Sequence, residues 1–235
     1  MKILNLYAGV GGNRKLWGKE HTITAVEWNE EIAYIYKDLF PRDTVIIGDA
    51  HEYLRKIIRE EHFDFIWSSP PCPTHSDMRR IGILCNIYKN STEIKYPDMS
   101  LYQEIILLQY FSDSAKTKWV VENVIPYYPP LIRPTIKLGR HYFWTNFRVK
   151  SRGFVDRENK IKHVRSSDKR YGFDLSKYKI TKTPDLTEGK VNILRNLVNP
   201  EIGLYLLEQS QNQIKPFFDM EYLEKTPKKY KGLFE

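Results

Sequence analysis

Lys2-Ile3-Leu4-Asn5-Leu6-Tyr7-Ala8-Gly9-Val10-Gly11-Gly12 opens the chain and decides how the rest is read. A β-forming run, Lys2 to Tyr7, breaks into three glycines within four positions, ahead of a helical segment. There the backbone can turn tightly and bring its N–H groups close to a ligand. Taken alone, such glycines make a plain turn more often than a site. Thr22 to Val26 reads as a second strand, and Glu27 stands at its end, eighteen positions beyond Gly9. A carboxylate in that place accepts hydrogen bonds from a ribose, so turn and acid together are the signature of a nucleoside site. Trp28 beside it is either a flat face for an adenine or an aromatic at the core edge.

The alternation continues outward. Thr44 to Ile47, Phe63 to Trp67 and Lys118 to Val121 read as further strands with helices between them, the pattern of a parallel sheet with crossover helices. Asn29 caps a helix that carries Ile32, Ile35, Tyr36 and Leu39 at the 3.6 period and stops at Pro41. Leu54, Ile57 and Ile58 stripe the next, for which Asp49 is an N-cap, a role compatible with ligand binding. Ser100 and Gln103 pair as a capping box ahead of Ile105 and Leu108. Arg140 to Val149 alternates as a strand, and Asn199-Pro200 start a helix through Leu207. The fold class is α/β and Rossmann-like. In such sheets ligands sit outside the carboxyl ends of the strands, where Gly9, Glu27, Asp49, Cys72 and Glu122 all fall.

Composition narrows the classes. With 235 residues, 41% hydrophobic and 28% charged, the chain buries a sizeable core, which excludes a stapled peptide or a largely disordered protein. A net charge of +8 favours a polyanionic partner, the alternative being a soluble basic protein. Two cysteines make no disulfide framework, so the expected location is the cytoplasm. Lys2 to Val10 is too short, and too soon broken by glycine, for a signal peptide; no membrane contact is expected. Pro73 to Asp98 is a long polar and basic loop of the functional or disordered kind, and Lys150 to Pro184 is dense in Arg and Lys, a small inserted recognition element.

The sharpest local signal is Ser69-Pro70-Pro71-Cys72-Pro73 after the fourth strand, where two prolines fix the backbone and deliver a cysteine to the rim. Buried cysteines seldom sit there. Cys85, in the polar loop, has no such setting. Glu122-Asn123-Val124 after the fifth strand adds a carboxylate that a low-dielectric cleft keeps partly protonated.

Together these pieces resemble the DNA cytosine-C5 methyltransferases. Tyr7-Ala8-Gly9-Val10-Gly11-Gly12 is similar to the family's S-adenosylmethionine turn, Glu27 and Trp28 to its ribose acid and adenine-stacking aromatic, and Asp49, followed by Ala50, to its adenine-side acid. Pro70-Pro71-Cys72 resembles the nucleophile motif, and Glu122-Asn123-Val124 the Glu-Asn-Val motif. Arg195-Asn196-Leu197-Val198 is similar to the closing element that packs beside the cofactor, which brings Asn196 and Val198, with Pro70, into the cofactor set. The resemblance covers residues 1–149 and 191–210. Pro73 stands where many members carry Gln, and His75-Ser76 where Phe-Ser is usual. The family's Gln-x-Arg-x-Arg strand is not cleanly present; Arg140 is the candidate for the arginine that touches the base, with His141 second.

The resemblance implies a Rossmann-like, S-adenosylmethionine-dependent methyltransferase domain over 1–149 and 191–220, a short target-recognition element over 150–190 and a tail over 221–235. It implies methyl transfer to C5 of a cytosine flipped out of double-stranded DNA, with the Cys72 thiolate adding to C6, Glu122 holding the polar edge of the ring, and no metal. Ser76, Arg79, Arg80, Arg152, Arg157, Lys160, Lys162, Arg165, Lys169 and Arg170 are the expected DNA contacts. The short recognition region points to a monomeric phage-like or orphan enzyme. The Leu233-Phe234 ending is a disordered terminus or a weak contact with a sliding clamp. Three other readings stay open: a tRNA cytosine-C5 methyltransferase, a catalytically silent DNA-binding relative, and a nucleotide-binding oxidoreductase.

Overall fold

Ile3, Leu4, Asn5 and Leu6 are all fully buried, which requires a strand covered on both faces. The computed structural model, which describes residues 1–76, 97–113, 116–154, 169–180 and 189–211, places this strand, β1 (Lys2–Leu6), in the middle of a seven-stranded sheet. Its companions are β2 (Thr22–Glu27), β3 (Thr44–Ile47), β4 (Phe65–Ser68), β5 (Lys118–Val124), β6 (Ile136–Leu138) and β7 (His141–Thr145). The order is β3-β2-β1-β4-β5-β7-β6; the first five run parallel, and β7 is antiparallel to both β5 and β6. The chain winds one way from β1 to β3 and the other way from β4, so the switch point where such sheets bind ligands lies between β1 and β4. This is an α/β Rossmann-like fold.

Helices α1 (Glu30–Leu39), α2 (Ala50–Ile57), α3 (Ser100–Phe111), α4 (Gly189–Arg195) and α5 (Pro200–Gln211) complete the layers. Helices α2 and α3 cover Leu4, Leu6, Val26, Ile66, Val121 and Trp144 on one face. Helix α5 and Trp17 cover Ile3, Phe65, Trp67, Val120 and Phe143 on the other. A small hairpin, β8 (Lys169–Arg170) and β9 (Phe173–Asp174), sets Phe173 and Leu175 against Val10, Leu194 and Leu197, so it packs on the glycine turn. Among the described residues no helix is long and apolar enough to cross a membrane.

Local chemistry accounts for the element ends. Asn29 caps α1 by accepting from Ile32 N at 3.2 Å, and Asp49 caps α2 by accepting from Glu52 N at 2.8 Å. Asn199 does the same ahead of α5, accepting from Glu201 N at 2.9 Å. Two readings of the sequence are corrected here. Ser100 is no capping-box residue: it is already helical, and Asp98 accepts its N–H at 2.9 Å. No helix follows Gly12; residues 13–18 run in turns. Asn13 donates inward to the buried Asn5 at 2.8 Å, and Arg14 clamps Asp43 at 2.8 and 3.1 Å. Gly203 of α5 sits so close on Asn13 that a side chain there would strike its backbone, so α5 fills the space a crossover helix needs.

Candidate active site

The rim at the ends of β1, β2 and β3 is made largely of backbone. Gly9 holds a φ of +54°, donates its N–H to Glu27 Oε2 at 2.9 Å, and has nothing within 4 Å of where a Cβ would stand. Gly48, after β3, faces open space in the same way. Between them the buried Glu27 carboxylate takes the Asn29 N–H on Oε1 at 2.9 Å; burial raises its pKa, and these backbone donors oppose the rise. Trp28 is 62% exposed beside it. Ala8 is buried and bonds Val26 and Gly11 through its backbone, while Tyr7 holds a φ of +55°. Burial raises the Tyr7 pKa, and Glu104, Asp49 and Asp98 add to the rise. Asp49 is exposed and Ala50 buried under α2. A Cβ on Gly12 would meet the backbone of Val198, so the Asn196-Leu197-Val198 segment lies directly on the glycine turn, with Asn196 exposed. An anchored carboxylate, an exposed indole and two open glycine positions fit a nucleoside held by its ribose and its base.

The other half of the rim is made of side chains. Ser68 pairs with Val121, so Ser69, just past β4, stands beside Glu122, which lies inside β5 and not after it as its sequence suggests. Asn123 Nδ2, itself buried, donates to Pro70 O at 2.9 Å and ties the proline-fixed segment to β5. Beyond it Cys72 O accepts the His75 N–H at 3.0 Å, closing a turn. Glu122 lies opposite Phe143 on β7, and His141, on the same face two residues earlier, brings Nε2 within 3.4 Å of Glu122 Oε1. Burial, helped by Arg140 and Arg170, pushes His141 down to about 3, so its contact with Glu122 is that of a neutral imidazole.

Burial pushes Glu122 up to about 7, against the Ser69 hydroxyl and the Arg140 charge. Burial, and after it the Glu122 charge, push the Cys72 thiol up to about 11, with Arg140 opposing. The Glu122 charge therefore acts on the thiol. Between about pH 7 and pH 11 the two groups together hold one proton, which rests on the sulfur.

Arg140 is exposed and donates to Arg195 O, acting on Cys72 and Glu122 through its charge. Arg170 corrects the sequence reading. It is 5% exposed and donates to Leu194 O at 3.0 Å, Arg195 O at 3.1 Å and the Tyr171 hydroxyl at 3.2 Å, which holds α4 to the hairpin instead of leaving a guanidinium for nucleic acid. Lys169 is exposed and paired with Asp174 at 2.8 Å, and Arg152 lies over Phe154 and Tyr205 at 5.2 and 5.3 Å. Ser76 bridges to Pro126. Arg79, Arg80, Cys85, Arg157, Lys160, Lys162, Arg165 and the tail fall outside the described residues. Sequence reasoning missed His141 as the neighbour of Glu122. The alternation of His141 and Phe143 carried the signal, but only the β5–β7 register shows which residue they face.

Residues 1–86 match the family model of the C-5 cytosine-specific DNA methylases. No curated protein matches the sequence. Among solved structures the chain is similar to a mutant DNMT2 of Spodoptera frugiperda, at 25% identity and TM-score 0.37 over 52% of this chain and 35% of that one. It is similar to a hypothetical protein of Thermus thermophilus, at 15% identity and TM-score 0.42 over 61% and 73% of the two chains. A third is Entamoeba histolytica methyltransferase EhMeth, at 15% identity and TM-score 0.34 over 53% and 38%. The chain thus spans about a third of the length of that DNMT2. The glycine turn, Glu27, Asp49 and the Pro-Pro-Cys segment all lie within residues 1–86, the stretch that the family model matches.

Proposed function

We propose that this chain transfers a methyl group from S-adenosylmethionine to C5 of a cytosine flipped out of double-stranded DNA, through a transient bond between Cys72 and C6. The observation that carries the reading is that Cys72, on the segment after β4, and Glu122, on the adjoining strand β5, stand near enough for the Glu122 charge to raise the thiol. S-adenosylmethionine bound at Glu27, Trp28 and the glycine turn supplies the electrophilic methyl group that an activated C5 takes up. The chain's own residues do the rest. C5 of neutral cytosine is a poor nucleophile until a thiolate adds at C6. Within the singly protonated pair, moving the proton from sulfur to carboxyl gives that thiolate and, at the same time, a Glu122 acid that can donate to N3 of the ring. Protonation of Glu122 also removes the like charge that holds the thiol neutral. His141, a neutral neighbour, keeps Glu122 in place without competing for its proton. Loss of the C5 proton then lets the sulfur–C6 bond break.

A duplex hides C6 in the stack, so the base leaves it at a cost of a few kcal/mol. The net charge of +8 favours the DNA partner, and Arg152, Lys169 and the other basic residues of 150–190 except Arg170 are the proposed contacts. The proposed enzyme acts as a monomer in the cytoplasm. Incubation with labelled S-adenosylmethionine and either duplex DNA or tRNA tests the reading. Label in duplex DNA, mapped to cytosine by bisulfite sequencing, is the expected result; label in tRNA alone would replace the substrate, and label in neither would overturn the reading.

A further inference from the structure

The segment after Cys72 is fastened to the segment after Glu122 by more than its backbone. Tyr127 N donates to His75 O at 3.2 Å, and Ser76 bridges to Pro126. Beneath these contacts the His75 imidazole, 0% exposed, meets the Tyr128 hydroxyl through Nδ1 at 2.6 Å. Tyr102 of α3 donates to that hydroxyl at 3.3 Å and accepts the Leu131 N–H at 3.1 Å.

The first two bonds have one direction. A backbone N–H only donates, so Tyr102 receives at its oxygen and passes its own proton toward Tyr128. The Tyr128 hydroxyl meets Nδ1 of His75, as donor to the tautomer protonated at Nε2 or as acceptor from the one protonated at Nδ1. His75 Nε2 is buried, and the Asp98 backbone and charge act on the ring. Phenylalanine at 75 and 128 would fill the same space without placing polar groups out of water, and replacing both partners of a buried hydrogen bond by apolar groups is close to neutral for stability. Packing alone gives no reason for the chain. What directed hydrogen bonds supply is a defined position.

We propose that His75, Tyr128 and Tyr102 are positioning residues, forming a latch that sets where Cys72 stands against Glu122. Asn123 fixes the near side of the Pro-Pro-Cys segment through Pro70, and the latch fixes the far side. The consequence for turnover rests on the proposed methyl transfer; the consequence for the thiol does not.

The test is therefore read first on the thiol. Iodoacetamide alkylation of Cys72 is followed against pH in the full chain, on the Cys72 peptide by mass spectrometry, with the Cys85 peptide as internal reference. The charged groups acting on this thiol are Glu122 and Arg140. In Tyr128→Phe and His75→Phe the thiol is released from Glu122, so the alkylation midpoint falls by about one pH unit. His75→Asn keeps a hydrogen-bonding group where Nδ1 stood and keeps the wild-type midpoint. Methyl transfer by the same variants falls about tenfold in kcat, with the Kd for S-adenosylmethionine unchanged. Superimposable alkylation profiles in the wild type and the two Phe variants would overturn the latch. A wild type without methyl transfer would instead overturn the proposed function, leaving the thiol result to judge the latch.

Discussion

The two halves of the rim are built by different means. At the ends of β1, β2 and β3 the site is backbone and near neighbours: a Gly9 N–H on Glu27, an Asn29 N–H on the same carboxylate, a cap at Asp49. At the ends of β4, β5 and β7 it is side chains from three strands, joined by Asn123 to Pro70 and by His141 to Glu122. The first half needs, beyond its local segments, only the β1–β2 pairing that brings Gly9 to Glu27. The second exists only once the β4–β5–β7 register is set, and there burial shifts the carboxyl, thiol and imidazole together: Glu122 up to about 7, Cys72 up to about 11, His141 down to about 3.

Substitutions can separate the halves. Cys72→Ala is expected to lower methyl transfer by about 10⁴-fold or more while calorimetry with S-adenosylmethionine gives the wild-type Kd. Glu27→Ala is expected to do the reverse, weakening the cofactor by about tenfold or more and leaving the Cys72 alkylation profile in place. Loss of both properties in either variant would join what the geometry separates.

Glu122→Gln sharpens the contrast. Turnover should fall by about 10² to 10⁴-fold, because the amide cannot trade a proton with the thiol. Stability should rise. A carboxyl raised from 4.5 to about 7 by burial opposes folding once it is charged, by about 3 kcal/mol. That cost is absent below the unfolded value and complete above the folded one. The variant should therefore melt several degrees higher than the wild type at pH 8 and no higher at pH 4.5. The same titration predicts that kcat/KM of the wild type rises through about pH 7, as the thiol–carboxyl pair loses its first proton, and stays high until the second proton is lost near pH 11. A rate that falls as pH climbs from 6 to 8 would contradict the proton sharing.

The smallest effects come from the glycines. Gly12→Ala forces a methyl group into the Val198 backbone and should lower stability by about 1–3 kcal/mol. Gly9→Ala meets open space and carries only the strain of a φ of +54°, about 1 kcal/mol. Equal melting temperatures for the two would show that the 196–198 segment does not rest on the turn.

What could be read from the chain follows the same division. The central strand, the glycine turn and the caps at Asn29 and Asp49 were legible because each depends on residues within one turn of its own position. The absent helix after Gly12 was not, because α5, almost two hundred residues away, occupies its space through Gly203. Arg170 read as a free cation because charge in a sequence says nothing of carbonyls waiting at Leu194 and Arg195. His141 stood in the expected strand, and only the pairing of β7 on β5 turns it toward Glu122.

The central claim is that one sulfur, Cys72, bonds to the cytosine ring. Duplex DNA carrying 5-fluorocytosine in place of cytosine, incubated with the protein and S-adenosylmethionine, tests it most directly, since fluorine at C5 cannot leave as a proton and the bond to C6 then persists. The account predicts a stable protein–DNA adduct that resists denaturation, maps to the Cys72 peptide and is lost in Cys72→Ala. Methylation of ordinary DNA by the same preparation without any such adduct, or an adduct that survives Cys72→Ala, would contradict it.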